Sequence, residues 1–497
     1  MIVTTTAGLV RGTPRQDGTI AFLGIPYAEP PYGKNRFRAP VPKAPWKGIL
    51  DATRFGATPQ RKALAEVTTI PEPSIPGNST LNVNVFKPAR DLGEGPYPVL
   101  VWIHGGGYVA GSPASPWYDG AAFARDGVVS VTISYRLGFD GFGWLPDAPN
   151  NRGVLDWILA LEWVRDNIAA FGGDPGNVTL CGQSAGGGAV MTLLTVPRAQ
   201  GLFHKAASLS GAPVDISLNG AKDYTFGVAE RLGLEAESRA FASVPEEELI
   251  QAQNWSRAPV PTQDAVAWLR QLGEVEGMLR LGPVIDAQLV QGTVAEGLAA
   301  GRGKDVPLLV GATQEEFSRL LAAHSDTFGA MSAREALRIL GADDAVASAY
   351  SACAAGNTTA AVVGRYVSDM MFRRHIPRWI SLRGGSLTWA YDFTWKSAVS
   401  GVSEHCLDVP FVFDVLSDPD VSRVAGPNPP QEIADAMHGA FVRFAWTGDP
   451  GWANATGDAA HVHYFDTDPA RSDGYASARI VSEAHRIAHS SDVPIQT

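Results

Sequence analysis

The residues best placed to do chemistry are Gly182-Gln183-Ser184-Ala185-Gly186, inside the stretch NVTLCGQSAGGG from Asn177 to Gly188. Val178 to Cys181 reads as a short buried strand, and the residues after the turn read as a helix. A serine at the tip of a sharp strand-to-helix turn sits in strained backbone, which lifts its hydroxyl clear of the sheet. Glycines two before and two after it let strand and helix pass closely. The helix that follows aims its N-terminal N–H groups and positive dipole end at the same point. Ser184 is therefore the expected nucleophile.

A serine hydroxyl reacts only when a base takes its proton, and the base is usually a histidine oriented by a carboxylate. In strand-turn-helix sites of this kind the chain order is serine, acid, histidine. The buried run Val306 to Gly311 leads into Gln314-Glu315-Glu316. Position alone does not separate Glu315 from Glu316, nor either of them from a solvated glutamate at a helix start. His405 stands in the loop GVSEHCLD, just before the apolar run Val409-Pro410-Phe411-Val412-Phe413. It is the candidate base, and the alternative is a loop histidine with no role.

The other histidines fit less well. His204 precedes the acid. His324 and His375 fall in helical segments and read as surface or packing residues. His438 lies on a late helix, and His485 and His489 in a polar tail. His461 and His463 form an H-x-H without further ligands, so no metal and no cofactor is expected. The tetrahedral oxyanion needs inward-pointing N–H groups. Gly105-Gly106-Gly107, just after the apolar run Pro98 to Ile103, suits that need, and the Ala185 N–H would complete it.

These groups need a scaffold. Pro98 to Ile103, Gly127 to Tyr135, Val178 to Cys181, Phe203 to Leu209, Val306 to Gly311 and Leu387 to Phe393 read as strands. Asn151 to Phe171 reads as a helix stopped by Gly172-Gly173-Asp174-Pro175. Strand, helix and strand at this spacing predict right-handed βαβ units and a mostly parallel sheet. Helical patterns fill about 213–281 and 318–385, with a capping box expected from Ser243 to Glu246. The simplest organisation is one α/β domain over 1–497, with those two insertions covering a site at the strands' C-terminal ends.

Composition limits the function classes. Apolar residues make up 45% and charged residues 18% of 497, which fits a soluble protein with a large core. A net charge of −11 argues against nucleic acid and anionic membrane surfaces as partners. Cys181, Cys353 and Cys406 give no disulfide framework and no zinc pattern, and Cys406 reads as packing. The start shows no signal-peptide pattern, no stretch has the length of a membrane span, and the default compartment is the cytoplasm. A monomer is the expectation.

Taken together, FLGIPYAEPPYGKNRF, PVLVWIHGGGY, NRGVLDWILALEWVRDNIAAFGGDPGNVTLCGQSAGG, GLFHKAASLSGAP, GATQEE and HCLDVPFVF resemble the type-B carboxylesterases, the cholinesterase-like and para-nitrobenzyl-esterase-like branch of the α/β-hydrolases. The resemblance implies an α/β-hydrolase fold and a bacterial-type serine esterase. It places the acid on Glu316, the base on His405, and the oxyanion donors on Gly106, Gly107 and Ala185. The family usually has Glu before the nucleophile, where this chain has Gln183, and Gly after the acid, where this chain has Phe317. The disulfide positions of animal members fall on Thr58 and Thr80.

The expected reaction is two-step acyl transfer on small, short- to medium-chain carboxylic esters, aryl esters included. Choline-type cations are not expected as targets. Activity is expected to fall as pH drops through about 6 to 7, where a histidine protonates. Tyr108, Trp144 and Phe411 are the aromatic residues expected near a substrate pocket. Two other readings remain at this level: an amidase or carbamate hydrolase with the same residues, and a non-catalytic binding protein.

Overall fold

A computed structural model describes the chain except residues 60–68, 90–94, 254–263, 274–278, 323–324, 355, 456–460, 469–473 and 491–497. His324 and His489's side chain, with that of His485, lie outside what is described.

One ten-stranded sheet organises the molecule. Its strands are β1 (Thr13–Pro14), β2 (Thr19–Pro26), β3 (Asn82–Pro88), β4 (Tyr97–Ile103), β5 (Val129–Ile133), β6 (Gly173–Gln183), β7 (Lys205–Leu209), β8 (Leu308–Thr313), β9 (Thr388–Phe393) and β10 (Val462–Phe465). The spatial order is β10-β9-β8-β7-β6-β4-β5-β3-β2-β1. From β10 to β5 every pairing is parallel, and β3, β2 and β1 continue the sheet antiparallel.

The unbroken apolar runs follow from burial on both faces. Successive side chains of a strand point to opposite sides. In β4, Val99, Val101 and Ile103 enter one hydrophobic cluster, and Leu100 and Trp102 enter another. The first cluster is closed by helix α1 (Arg152–Asn167), through Val154, Trp157, Ile158 and Val164, and by α2 (Ala185–Thr195), through Val190 and Leu193. The second is closed by α4 (Gln431–Thr447), through Met437, Phe441 and Phe444. Helix α2 is buried all round, as a helix apolar on every side must be.

Register brings the chemistry to one edge. Ile103 pairs with Gly182, Gln183 with Leu209, Leu209 with Gly311, and Gly311 with Tyr391. The loops after β4, β6, β7, β8 and β9 therefore all emerge at the C-terminal end of the parallel strands. That end, where the chain turns from β4 to β5 on one side and to β6 on the other, is where open α/β sheets place ligands.

Several boundaries differ from the sequence reading. The nucleophile strand starts at Gly173, because Tyr97 pairs with Gly173 and draws the expected stop signal into the sheet. The capping box at Ser243 does not form. Ser243 ends the short helix Ser238–Ala242, and its hydroxyl donates back to the Ala240 carbonyl. A capping box occurs instead at Thr293 and Glu296. The tail carrying His485 is a helix, Ala476–Ser490. Between β7 and β8, and between β8 and β9, the chain makes two helical excursions, which include Leu218–Leu232 and α3 (His375–Arg383) respectively. Among the described residues, no helix is long and apolar enough to cross a membrane.

Candidate active site

Strand β6 ends at Gln183 and α2 begins at Ala185, so Ser184 alone makes the turn. Its φ of 57° and ψ of −124° lie where a non-glycine residue is strained, a conformation costing about 1–3 kcal/mol. The surroundings hold it there. The Ser184 N–H donates to the Leu209 carbonyl at 2.9 Å, and the Gly188 N–H donates to the Ser184 carbonyl at 2.9 Å. The turn also depends on missing side chains. A Cβ on Gly182 would meet the Gly186 carbonyl at 2.5 Å, and one on Gly186 would collide with the Ile103 carbonyl.

The loop after β4 runs directly against this turn. A Cβ on Gly105 would sit 3.0 Å from that of Ser184. Gly106, at φ 113°, and Gly107, at φ 59°, then reverse the chain. The Gly106 carbonyl accepts from Val109 and Ala110, so it faces away along the turn. Among the described residues neither the Gly106 nor the Gly107 N–H donates within the chain. The Ala185 N–H belongs to the first turn of α2 and has no helical partner either.

His405 completes a chain of contacts. Its Nε2 lies 3.0 Å from the Ser184 Oγ, and its Nδ1 lies 2.5 Å from the Glu316 Oε2. The acceptor on Nδ1 fixes the tautomer, leaving Nε2 to accept from the serine hydroxyl. Glu316 is itself pinned: Oε1 accepts from the Thr313 N–H at 3.1 Å, and its carbonyl accepts from the His405 N–H at 2.9 Å. Glu315 turns the other way, toward Lys396 Nζ at 3.3 Å and the Ser403 backbone. The geometry therefore brings Glu316, not Glu315, to the imidazole.

Phe372 and Arg373, which the sequence did not single out, frame the base together with Phe317, Gln183 and Cys406. Phe372 packs on the imidazole with centroids 4.6 Å apart, and Phe317 at 5.2 Å. Phe372 sits in a π turn, Asp369–Arg373, that leaves no mark in hydrophobic periodicity. Arg373 in that turn is fully buried between Asp369 and Asp392, and it donates to the Thr313 carbonyl at 3.2 Å. One peptide unit away, Thr313 donates to Glu316. Gln183 Nε2 approaches His405 Nε2 at 3.3 Å and donates to the Cys406 Sγ at 3.0 Å. Cys406 thus does more than pack, and it adopts φ 70° beside the base.

Electrostatics follow from burial. Desolvation works against a charged imidazole, but the neighbouring Cys406 sulfur and the Glu316 carboxylate together outweigh it and hold His405 well above the usual histidine range. Burial in turn pushes the Cys406 thiol up, against the lowering effect of the neighbouring imidazole. Behind it, Asp408 accepts from the Tyr391 hydroxyl at 2.9 Å. Burial, helped by the Glu316 charge, pushes its carboxyl up to about 7.

The three expected pocket aromatics lie elsewhere. Tyr108 and Phe411 are fully buried core residues, Tyr108 against Phe142 and Trp157, Phe411 against Phe393 and Trp395. Trp144 packs against Phe226 and beneath Lys222. A cavity of about 780 Å³ instead adjoins the site, walled by Ala212, Leu279, Met371 and Trp379 among others. Ala212 donates to the Ser184 carbonyl at 3.4 Å, and a Cβ on Gly107 would meet Leu279 at 3.2 Å. Among the described residues no cluster of His, Cys, Asp and Glu is placed to hold a metal.

Comparison with known proteins agrees with this architecture. Residues 1–473 match the model of the Carboxylesterase family. Para-nitrobenzyl esterase of Bacillus subtilis is 34% identical over 486 residues, covering 94% of each chain. Phenmedipham hydrolase of Pseudarthrobacter oxydans is 32% identical and covers 90% of each. Among solved structures, carboxylesterase EST55 of Geobacillus stearothermophilus superposes with a TM-score of 0.81 at 31% identity, covering 96% of this chain and 99% of that one. With the fold, the serine turn and these relatives in agreement, the chain belongs to the carboxylesterase family: it is a carboxylic ester hydrolase of the α/β-hydrolase fold, in the para-nitrobenzyl-esterase-like branch.

Proposed function

We propose that the protein hydrolyses short- to medium-chain carboxylic esters, aryl esters included, through a Ser184–His405–Glu316 triad and an acyl-enzyme. The observation that carries this reading is the unbroken contact chain from the Ser184 Oγ through His405 to Glu316. His405 Nε2 takes the hydroxyl proton as Ser184 attacks the ester carbonyl. The N–H groups of Gly106, Gly107 and Ala185 receive the oxyanion, each strong donor contributing about 3–4 kcal/mol. Glu316 holds the tautomer and supports the imidazolium. His405 then protonates the leaving alcohol, and water repeats the cycle on the acyl-serine. The two helical excursions, near 213–281 and 318–385, cover the site and shape its substrate range. The intact contact chain speaks against the non-catalytic reading.

The test is hydrolysis of p-nitrophenyl acetate and butyrate by the wild type and by Ser184→Ala, with intact-mass analysis after a fluorophosphonate. Turnover and one adduct are expected in the wild type. Both are expected to be absent from Ser184→Ala, with kcat lower by roughly 10⁴- to 10⁶-fold. Turnover surviving in that variant would assign the nucleophile elsewhere. Matched aryl ester, anilide and carbamate substrates separate esterase from amidase or carbamate hydrolase, and the ester is expected to turn over fastest.

A further inference from the structure

The cavity beside Ser184 has an unusual charge for a chain whose net charge is −11. Its walls carry Arg280, Arg374, Arg378 and His375 against Asp215 and Glu296. Glu296 is already engaged in the capping box with Thr293. Asp215 accepts from the Val294 N–H at 3.1 Å and acts on Arg378 as a through-space charge without a direct ion pair. Among the described residues, neither Arg280 nor Arg378 is tied into an ion pair or a hydrogen bond. Arg378 is half-buried and Arg280 exposed; guanidinium groups lining a concave space favour anions, and planar carboxylates above all.

Large apolar side chains share the lining, among them Leu279, Met370, Met371, Trp379 and Leu382, beside the hydroxyls of Ser217 and Thr293. Such walls suit a short methylene chain. Two lining residues tie the cavity wall to the backbone of the site: Ala212 donates to the Ser184 carbonyl, and Leu279 lies against Gly107. Met370 and Met371 belong to the same π turn as Phe372, which packs on His405.

We propose that this cavity receives a second, ionised carboxylate of the substrate, so that the enzyme prefers esters carrying a free carboxylate, such as monoesters of dicarboxylic acids, over neutral esters of the same size. The proposal rests on the ester-hydrolase reading above and deepens it. Arg378 and Arg280 recognise the anion, the thioether and indole walls hold the spacer, and Ser184 meets the ester at the near end.

The experiment compares kcat/KM for p-nitrophenyl hydrogen glutarate and for its neutral methyl ester. A second pair, carboxymethyl butyrate and its methyl ester, moves the carboxylate to the alcohol half. One well-formed charged contact predicts a preference of about tenfold or more for the anionic member of one pair. The preferred pair identifies which half enters the cavity. That ratio should fall toward unity in the double variant Arg280→Gln/Arg378→Gln, and Arg378→Lys should keep part of it. In the wild type it should also shrink in about 1 M salt, where screening is strong. A ratio at or below unity in both pairs overturns the proposal, as does a preference that the double variant leaves intact. Should the double variant not fold, the wild-type ratio and its salt dependence decide. Failure to turn over any of the four esters, charged or neutral, would instead overturn the ester-hydrolase reading, which keeps the two outcomes distinct.

Discussion

The two ends of the Ser184–His405 contact are held by different means. Ser184 is fixed by backbone: a strained turn between a central strand and a buried helix, with glycines where any side chain would meet a carbonyl. His405 is fixed by contacts made mostly by side chains: Glu316 on one nitrogen, Phe372 and Phe317 on its ring, and Gln183 and Cys406 at its edge. Backbone fixation is close to all-or-none, because a turn that cannot close takes its strand and helix with it. Side-chain fixation is graded, because each contact can be weakened alone. Substitutions on the two sides should therefore differ in kind, and not merely in size.

Gly186→Ala is expected to give the largest structural effect. Its Cβ would collide with the Ile103 carbonyl and lie 2.9 Å from that of His104, so strand β4 and helix α2 would have to separate. Overpacking of this kind costs about 1–3 kcal/mol or more. Activity and melting temperature should fall together, which calorimetry beside a p-nitrophenyl butyrate assay will read. An active, stable Gly186→Ala would show that the turn is less constrained than its contacts imply.

Glu316→Gln tests the other side. With the amide oxygen kept on the Thr313 N–H, the amide nitrogen would donate to Nδ1, favour the wrong tautomer and leave the imidazolium without its counter-charge, and kcat should drop by roughly 10³- to 10⁴-fold while the fold persists. A melting loss as large as that of Gly186→Ala would erase the distinction between the two sides.

The pH profile gives a smaller, graded readout. His405 must be neutral to accept the serine proton, and its neighbours Cys406 and Glu316 hold its pKa above the ordinary 6.5. Activity is therefore lost as pH falls through that raised value, and the acid limb of kcat/KM should lie above 6.5, higher than the sequence alone suggests. Gln183→Glu would add a carboxylate beside Nε2 and move the limb up by about one unit. An unmoved limb would remove Gln183 from the imidazole's electrostatic environment.

The smallest effect concerns stability. Burial raises Asp408 in the folded protein to about 7, from an unfolded value near 3.8. Between those values the folded state binds the extra proton, so stability declines as pH rises through that window and levels off above it. Asp408→Asn stays neutral throughout and should flatten the decline in melting temperature between about pH 5 and 8. Parallel wild-type and variant curves would assign the buried proton elsewhere.

What was legible in the sequence divides along the same line. The serine turn, its strand and the glycine loop were readable because they are local: Gly182, Ser184 and Gly186 carry their own geometry, and Val99 to Ile103 are apolar throughout because both faces are covered. The acid was ambiguous because Glu315 and Glu316 differ only in distant partners, Lys396 for one and His405 for the other. Phe372 was invisible, since it reaches the site through a π turn. Tyr108 and Phe411 misled because proximity to a motif in sequence says nothing about which face of an element meets solvent. His375, expected to be surface or packing, stacks on Trp379 and also lines the cavity. The polar tail hid a helix because such a segment is secured by docking rather than by its own composition.

One feature of the cavity bears on how such proteins diverge. Its walls come from 279–299 and 370–382, together with 212–220 beside the nucleophile, whereas the nucleophile and its glycine loop come from 104–111 and 182–188. Drift in the first pair of segments can change which molecules fit without touching the strained turn that attacks them. Descendants of one ancestral sequence can thus acquire separate diets while keeping one reaction, and the record of that history should be written in the walls and almost erased from the turn.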